Sequence, residues 1–159
     1  NKRVDVIVRA FMQTPERRLV VLSGGPELER LKLLASGMQN IIFTGWQTDD
    51  ELRRWVGHAK AVIYLPVDED FGMSPVEAMA AGKPVIGVAQ GGLLETVEDG
   101  KTGFLVENPP TPQAVIAAME KMEHMQAGEM STACIASSQR FTEERFIRRM
   151  QAELCFESI

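Results

Sequence analysis

The sequence predicts an α/β domain in which a parallel sheet is wound by helices on both faces, and three observations predict it. Short apolar runs alternate with longer helical patterns along nearly the whole chain. The apolar runs are continuous in Val, Ile and Leu, as in strands covered on both sides, and lack the polar alternation of half-exposed strands. Strand and helix patterns also follow one another through short connections, which right-handed crossovers between parallel strands satisfy.

A helix is expected at residues 4–13, then a strand at 19–23 and a helix at 26–34. Strand 40–45 leads to helix 49–57, strand 61–66 to helix 75–81, and strand 84–88 to helix 93–98. Strand 103–106 precedes two longer helices, 112–126 and 142–156. Thr48-Asp49-Asp50-Glu51 and Ser74-Pro75-Val76-Glu77 each fit a capping box, the second with Pro at the first helical position. Thr111-Pro112 repeats the cap-then-Pro pattern. The small, polar stretch Ala127–Ser138 is expected to be a loose connection before the last helix. A wound half of this type normally has a strand ahead of its first helix, so residue 1 is expected just after one. A start of Asn1-Lys2-Arg3 reads as an excised piece.

With 159 residues the chain fits one domain, and 45% hydrophobic with 25% charged residues describes an ordinary globular composition. A formal charge of −5 argues against a nucleic-acid partner, which needs a dominant basic face. No apolar run approaches the roughly 20 residues of a membrane span, and no signal peptide is read at the start. Cys134 and Cys155 stand 21 apart and match no metal or redox spacing, so a reducing cytoplasm is the expected setting.

In open parallel sheets ligands sit outside the carboxyl ends of the strands. Four such loops carry unusual residues. Gly24-Gly25-Pro26 permits close backbone approach to a ligand, or is simply a tight turn into a helix. Asp68-Glu69-Asp70-Phe71-Gly72-Met73-Ser74 places three acids after a buried strand, followed by bare amides at Gly72, Met73 and Ser74 where a helix dipole favours an anion such as phosphate. Acids beside a phosphate site make sense when they accept hydrogen bonds from sugar hydroxyls. Glu69 is therefore either a sugar contact or a solvated loop acid, and Glu77 either a ribose contact or the far half of a capping box. Gly91-Gly92 repeats the amide theme, or is a plain turn.

Other features carry less. Gly100-Lys101-Thr102 ends like a phosphate loop but has Glu95 where glycine is required. His58 and His124 fit no metal-ligand spacing, so no metal is expected. Ser74 lacks a nucleophile elbow, and Met119, Met122 and Met125 read as core or interface.

The run Glu69-Asp70-Phe71-Gly72-Met73-Ser74-Pro75-Val76-Glu77-Ala78-Met79-Ala80-Ala81-Gly82-Lys83-Pro84-Val85-Ile86 resembles the signature of glycosyltransferase family four, also called glycosyl transferases group one. Its hallmark is two glutamates separated by seven residues around an aromatic-Gly step. Ser23-Gly24-Gly25-Pro26, Phe43-Thr44-Gly45, Gly91-Gly92 before Glu95 and Asp99-Gly100-Lys101-Thr102-Gly103 extend the match in the right order, from about Lys2 to Val106.

The resemblance implies one half of a GT-B fold: a Rossmann-like, donor-binding domain at residues 1–159, with the amino-terminal acceptor domain absent from this chain. Glu69 maps to the glutamate that faces the donor sugar, and Glu77 to the one that holds ribose hydroxyls. Phe71, Gly72, Met73 and Ser74 map to backbone contacts with sugar and diphosphate. Lys2 sits where a diphosphate-neutralising lysine would be, and its partner arginine would precede residue 1. Gln47 and Thr48 lie where the base would rest, and Gly24, Gly25, Gly91 and Gly92 join the donor-binding set. Val67 departs from the Ser common after Pro66.

Implied with this is a retaining hexosyl transfer from a nucleoside diphosphate sugar to a glycan or lipid-linked acceptor, with no metal or cofactor. Asp68-Glu69-Asp70-Phe71-Gly72 and Ser74-Pro75-Val76-Glu77-Ala78 look more like mannosyltransferases using GDP-mannose than like sucrose or glycogen synthases, while a UDP-sugar stays open as donor. Any peripheral membrane association, at the inner face, would run through the other domain. The donor domain alone is expected to be inactive. Two other readings stand beside this one: a nucleotide-sugar epimerase of GT-B fold, and a non-catalytic nucleotide-sugar-binding module.

Overall fold

A computed structural model describes residues 2–125 and 127–154. Among the described residues five strands are present, β1 (Leu19–Leu22), β2 (Ile41–Gly45), β3 (Val62–Tyr64), β4 (Val85–Val88) and β5 (Gly103–Val106). Eight helices accompany them: α1 (Val4–Met12), α2 (Leu28–Leu34), α3 (Asp49–His58), α4 (Met73–Ala80), α5 (Leu93–Thr96), α6 (Pro112–Glu123), α7 (Ala127–Ser138) and α8 (Glu143–Leu154). A 3-10 turn, Gln139–Phe141, joins the last two.

Every strand pairing is parallel, in two ladders, β1–β2 and β3–β4–β5. Successive residues of a strand face opposite sides, and β4 shows it. Ile86 and Val88 join a core with Ile7, Val8 and Phe11 of α1, Leu31 of α2, and Val115 and Met119 of α6. Val85 joins a second core with Ala78 and Met79 of α4 and Cys134 of α7. Helices thus cover both faces, and all four residues of β4 are buried, as the unalternating apolar run predicts. Each of its Val and Ile side chains contributes about 1.5–3 kcal/mol on burial. The exposed ion pairs Arg30–Glu27, Lys32–Glu29 and Arg53–Asp50 contribute about 0–1 kcal/mol apiece, so the two cores carry the stability.

Several local expectations need correction. Ala127–Ser138 is a twelve-residue helix rather than a loose connection. Its Met130 and Cys134, one turn apart, are buried, and its small residues let it lie close to α4. Burial also pushes the Cys134 thiol up to about 11. The expected capping box at Ser74 does not form. α4 begins two residues before Pro75, and its cap position is Gly72, with no side chain bonded to the helix start. Pro75 falls in the first turn, where its missing N–H costs no helix bond. α2 likewise starts at Leu28, because Pro26 and Glu27 form a turn. The boxes at Thr48 and the cap at Thr111 form as expected. Gln126, the expected end of α6, and Cys155 and Phe156, the expected end of α8, lie outside the described residues.

Candidate functional site

The site grows from the carboxyl end of β3. Leu65 and Pro66 are buried, and beyond them the chain turns through Asp68 at φ 50° into Glu69. Lys2, just ahead of α1, reaches Glu69 Oε2 at 2.8 Å, and the Tyr64 hydroxyl donates to the same oxygen at 2.5 Å. Lys2 Nζ also bonds the Tyr64 hydroxyl and lies 4.5 Å from its ring centroid. The hydrogen bond from Lys2 holds the Glu69 carboxyl below the usual carboxylate range, helped by Tyr64 and the Gly72 amide. Burial works to lower the Lys2 ammonium, but hydrogen bonds to Glu69 and Tyr64 outweigh it and leave it raised. The pair is therefore charged on both sides at neutral pH.

Gly72 follows at φ 83°, a left-handed conformation that favours glycine, and turns the chain into α4. Met73 and Ser74 at the helix start are exposed, and the helix has no side-chain cap. The first amides of a helix have no intrahelical acceptor and carry the positive end of its dipole. Glu77 is exposed on α4, and its carboxylate makes no hydrogen bond or ion pair among the described residues.

Gly91-Gly92, after β4, packs against the same loop. The Gly92 amide donates to the Glu69 carbonyl at 2.9 Å. A Cβ on Gly92 would lie 2.4 Å from the Phe71 Cα, and one on Gly91 would lie 2.3 Å from the Glu69 carbonyl oxygen. Gln90 adds a hydrogen bond to Asp68 at 2.7 Å. These two glycines shape the acidic loop from one side. Phe71 of the same loop packs edge-on against Phe141 at 5.5 Å. Arg140 anchors that turn through Glu98 at 3.0 Å and the Glu95 carbonyl at 2.7 Å. Lys101 and then Ser137 hold the Glu98 carboxyl below its ordinary range.

The loops after β1 and β2 form a second group, and no hydrogen bond among the described residues joins it to the first. Thr48 caps α3, so its hydroxyl is committed to Glu51. Gln47 donates to the Thr44 and Trp46 carbonyls and accepts from Trp55. Trp46 is 80% exposed, and a Cβ on Gly24 would come within 2.9 Å of its indole nitrogen. A Cβ on Gly25 would meet nothing within 4 Å. The concave surface along α8, about 430 Å³ in volume and lined by Phe146, Ile147, Met150 and Leu154, uses none of these residues.

Sequence reasoning missed Tyr64, Trp46 and Phe141. Tyr64 is the sole tyrosine of the chain, and Trp46 follows Gly45 at a strand end, so both left a signal. Phe141 left none, because its contact depends on how α7 packs.

The fold and the family it matches define a glycosyltransferase domain of GT-B type. The family described as glycosyl transferases group 1 matches residues 1–141, and the chain belongs to it. An alpha-1,3/1,6-mannosyltransferase, ALG2, of Dictyostelium discoideum is 41% identical over 87 residues, 54% of this chain and 20% of its own length. A D-inositol 3-phosphate glycosyltransferase of Nocardioides is 36% identical over 128 residues, 67% of this chain and 28% of its own. Among solved structures, Anabaena HepE in complex with UDP and glucose superposes with a TM-score of 0.82 at 22% identity, over 96% of this chain and 44% of that one. The sucrose-phosphate synthase of Thermosynechococcus elongatus gives 0.83 at 25% identity, over 96% and 41%. The chain thus spans less than half the length of each. The Dictyostelium and Nocardioides relatives are named transferases and the Thermosynechococcus protein a synthase, which leaves the epimerase reading without support. Among the described residues no helix is long and apolar enough to cross a membrane.

Proposed function

We propose that this chain is the donor-binding domain of a retaining hexosyltransferase that takes a nucleoside diphosphate sugar. The observation that carries the reading is the meeting of Lys2, Tyr64 and Glu69 beside the uncapped start of α4. A charged carboxylate there can accept from sugar hydroxyls, while Lys2 and the amides of Met73 and Ser74 face the diphosphate. Positive charge and fixed dipoles stabilise the departing nucleoside diphosphate, so the protein contributes positioning and electrostatics. No cofactor or metal has a part in this reading.

The solved complex of HepE with UDP and glucose supports a nucleotide-sugar donor, and the likeness to ALG2 supports mannose as the sugar. A glycan or lipid-linked acceptor would bind the other domain, and this domain alone would not transfer. Any approach to the inner face of a membrane would belong to that other domain.

Glu77 tests the reading. Its carboxylate closes no capping box, so Glu77→Ala should leave the melting temperature nearly unchanged, alanine being the better helix former. Nucleoside diphosphate affinity should fall by about 1–3 kcal/mol, the scale of a lost hydrogen bond to a charged group. Unchanged affinity by calorimetric titration would refute a ribose-holding role.

A further inference from the structure

Tyr64 ends β3, and its hydroxyl meets Glu69 Oε2, the same carboxylate oxygen that receives Lys2. An ammonium and a carboxylate in contact need no third group to satisfy each other. The tyrosine nevertheless gives up hydration of its hydroxyl to join them, and what it adds is a donor that carries no charge. That difference matters once an anion arrives. A diphosphate attracts Lys2, and a carboxylate left without its cation beside new negative charge tends to take a proton or turn away.

Building on the donor reading above, we propose that Tyr64 is a positioning residue, which keeps Glu69 in place and ionised while Lys2 turns from the carboxylate to the donor diphosphate.

The surroundings of Glu69 fit this part. Lys2, from the segment before α1, and Tyr64, from β3, are the titratable groups bonded to its carboxylate, and the Gly72 amide adds a third donor. Asp68 is turned to Gln90, and Asp70 is exposed in the same loop. Burial, then the bond to Glu69, raises the Tyr64 hydroxyl, so it stays protonated and able to donate at working pH. Removing a donor to the ionised form of a carboxyl favours its protonated form, so the carboxyl should titrate at higher pH without Tyr64.

Tyr64→Phe keeps the ring beside Lys2 and removes only the hydroxyl. In the ligand-free protein, an NMR titration of the Glu69 carboxyl should show its midpoint moved to higher pH, and an unmoved midpoint would overturn the proposal. In the enzyme carrying its acceptor domain, kcat should fall about 10-fold to 100-fold, the scale of one hydrogen bond to a charged group. The acid limb of its pH profile should move up with the titration, and the Kd for free UDP or GDP should stay within about threefold. Lys2→Ala should do the reverse, weakening UDP or GDP while Tyr64 keeps Glu69 in place. Unchanged kcat in Tyr64→Phe, or a loss of nucleotide affinity equal to the loss of kcat, would overturn the assignment. A wild-type protein that binds none of UDP, GDP and ADP would instead remove the donor reading and the exchange with it, whatever the ligand-free titration shows.

Discussion

Glu69→Gln is expected to lower turnover of the complete enzyme by about 10²-fold while nucleoside diphosphate affinity hardly changes. The substitution keeps the shape of a side chain that is only partly exposed, and it removes the charge on which Lys2 and Tyr64 converge. Amide and carboxylate both accept hydrogen bonds, so the ground-state contact with a sugar hydroxyl survives in part. What is lost is the fixed negative charge beside a reacting centre that gains positive character, an interaction stronger in the transition state than before it. On the proposed reading the nucleotide is held elsewhere, by the start of α4 and by Glu77, so its affinity should not follow. Matching falls in nucleotide affinity and turnover would reduce Glu69 to a residue that shapes the loop. Unchanged turnover would take it out of the site.

The second large effect is expected at Gly92→Ala. The new methyl group would lie 2.4 Å from the Phe71 Cα and 2.5 Å from the Asp70 carbonyl oxygen, both backbone atoms that no rotamer change can move. The loop from Glu69 to Gly72 must then shift, and the bond from the Gly92 amide to the Glu69 carbonyl must lengthen or break. Overpacking of this kind costs about 1–3 kcal/mol of stability. Nucleotide binding should fall as well, because the displaced backbone carries both Glu69 and the turn into α4. Gly57→Ala is the control: a Cβ there meets nothing within 4 Å, and α3 should gain about 0.5–1 kcal/mol from the better helix former. Thermal melting and nucleotide titration of the two variants check the contrast. A Gly92→Ala protein that melts and binds like the wild type would contradict the packing of these two loops.

The strands and most helices were legible because buried parallel strands leave unbroken apolar runs such as Val85–Val88, and because caps such as Thr48 and Thr111 have local signatures. α7 was not, since its Gly, Ser and Thr residues carry weak helical propensity and its order comes from burying Met130 and from packing Cys134 with Ala78 and Met79 of α4. Ser74 failed as a cap for a different reason. A left-handed Gly72 starts the helix two residues earlier than Pro75 suggested, and this frees Glu77 from the capping role its spacing allowed. Glu69 stood out by its place after a strand, but its partners did not. Lys2 is 67 residues away, and Tyr64 lies inside an apolar run where it reads as core. The glycines after β4 read as bare amides or a plain turn, and the pattern did not reveal that they pack against the backbone of the acidic loop.

Donor binding at the strand-end site is the centre of this account, and a titration of the enzyme with GDP-, UDP- and ADP-sugars tests it most directly. Saturable binding of at least one of them is expected, displaced by the matching free nucleoside diphosphate and weakened in Glu77→Ala. Absence of saturable binding for all three, or binding that Glu77→Ala leaves untouched, would contradict it.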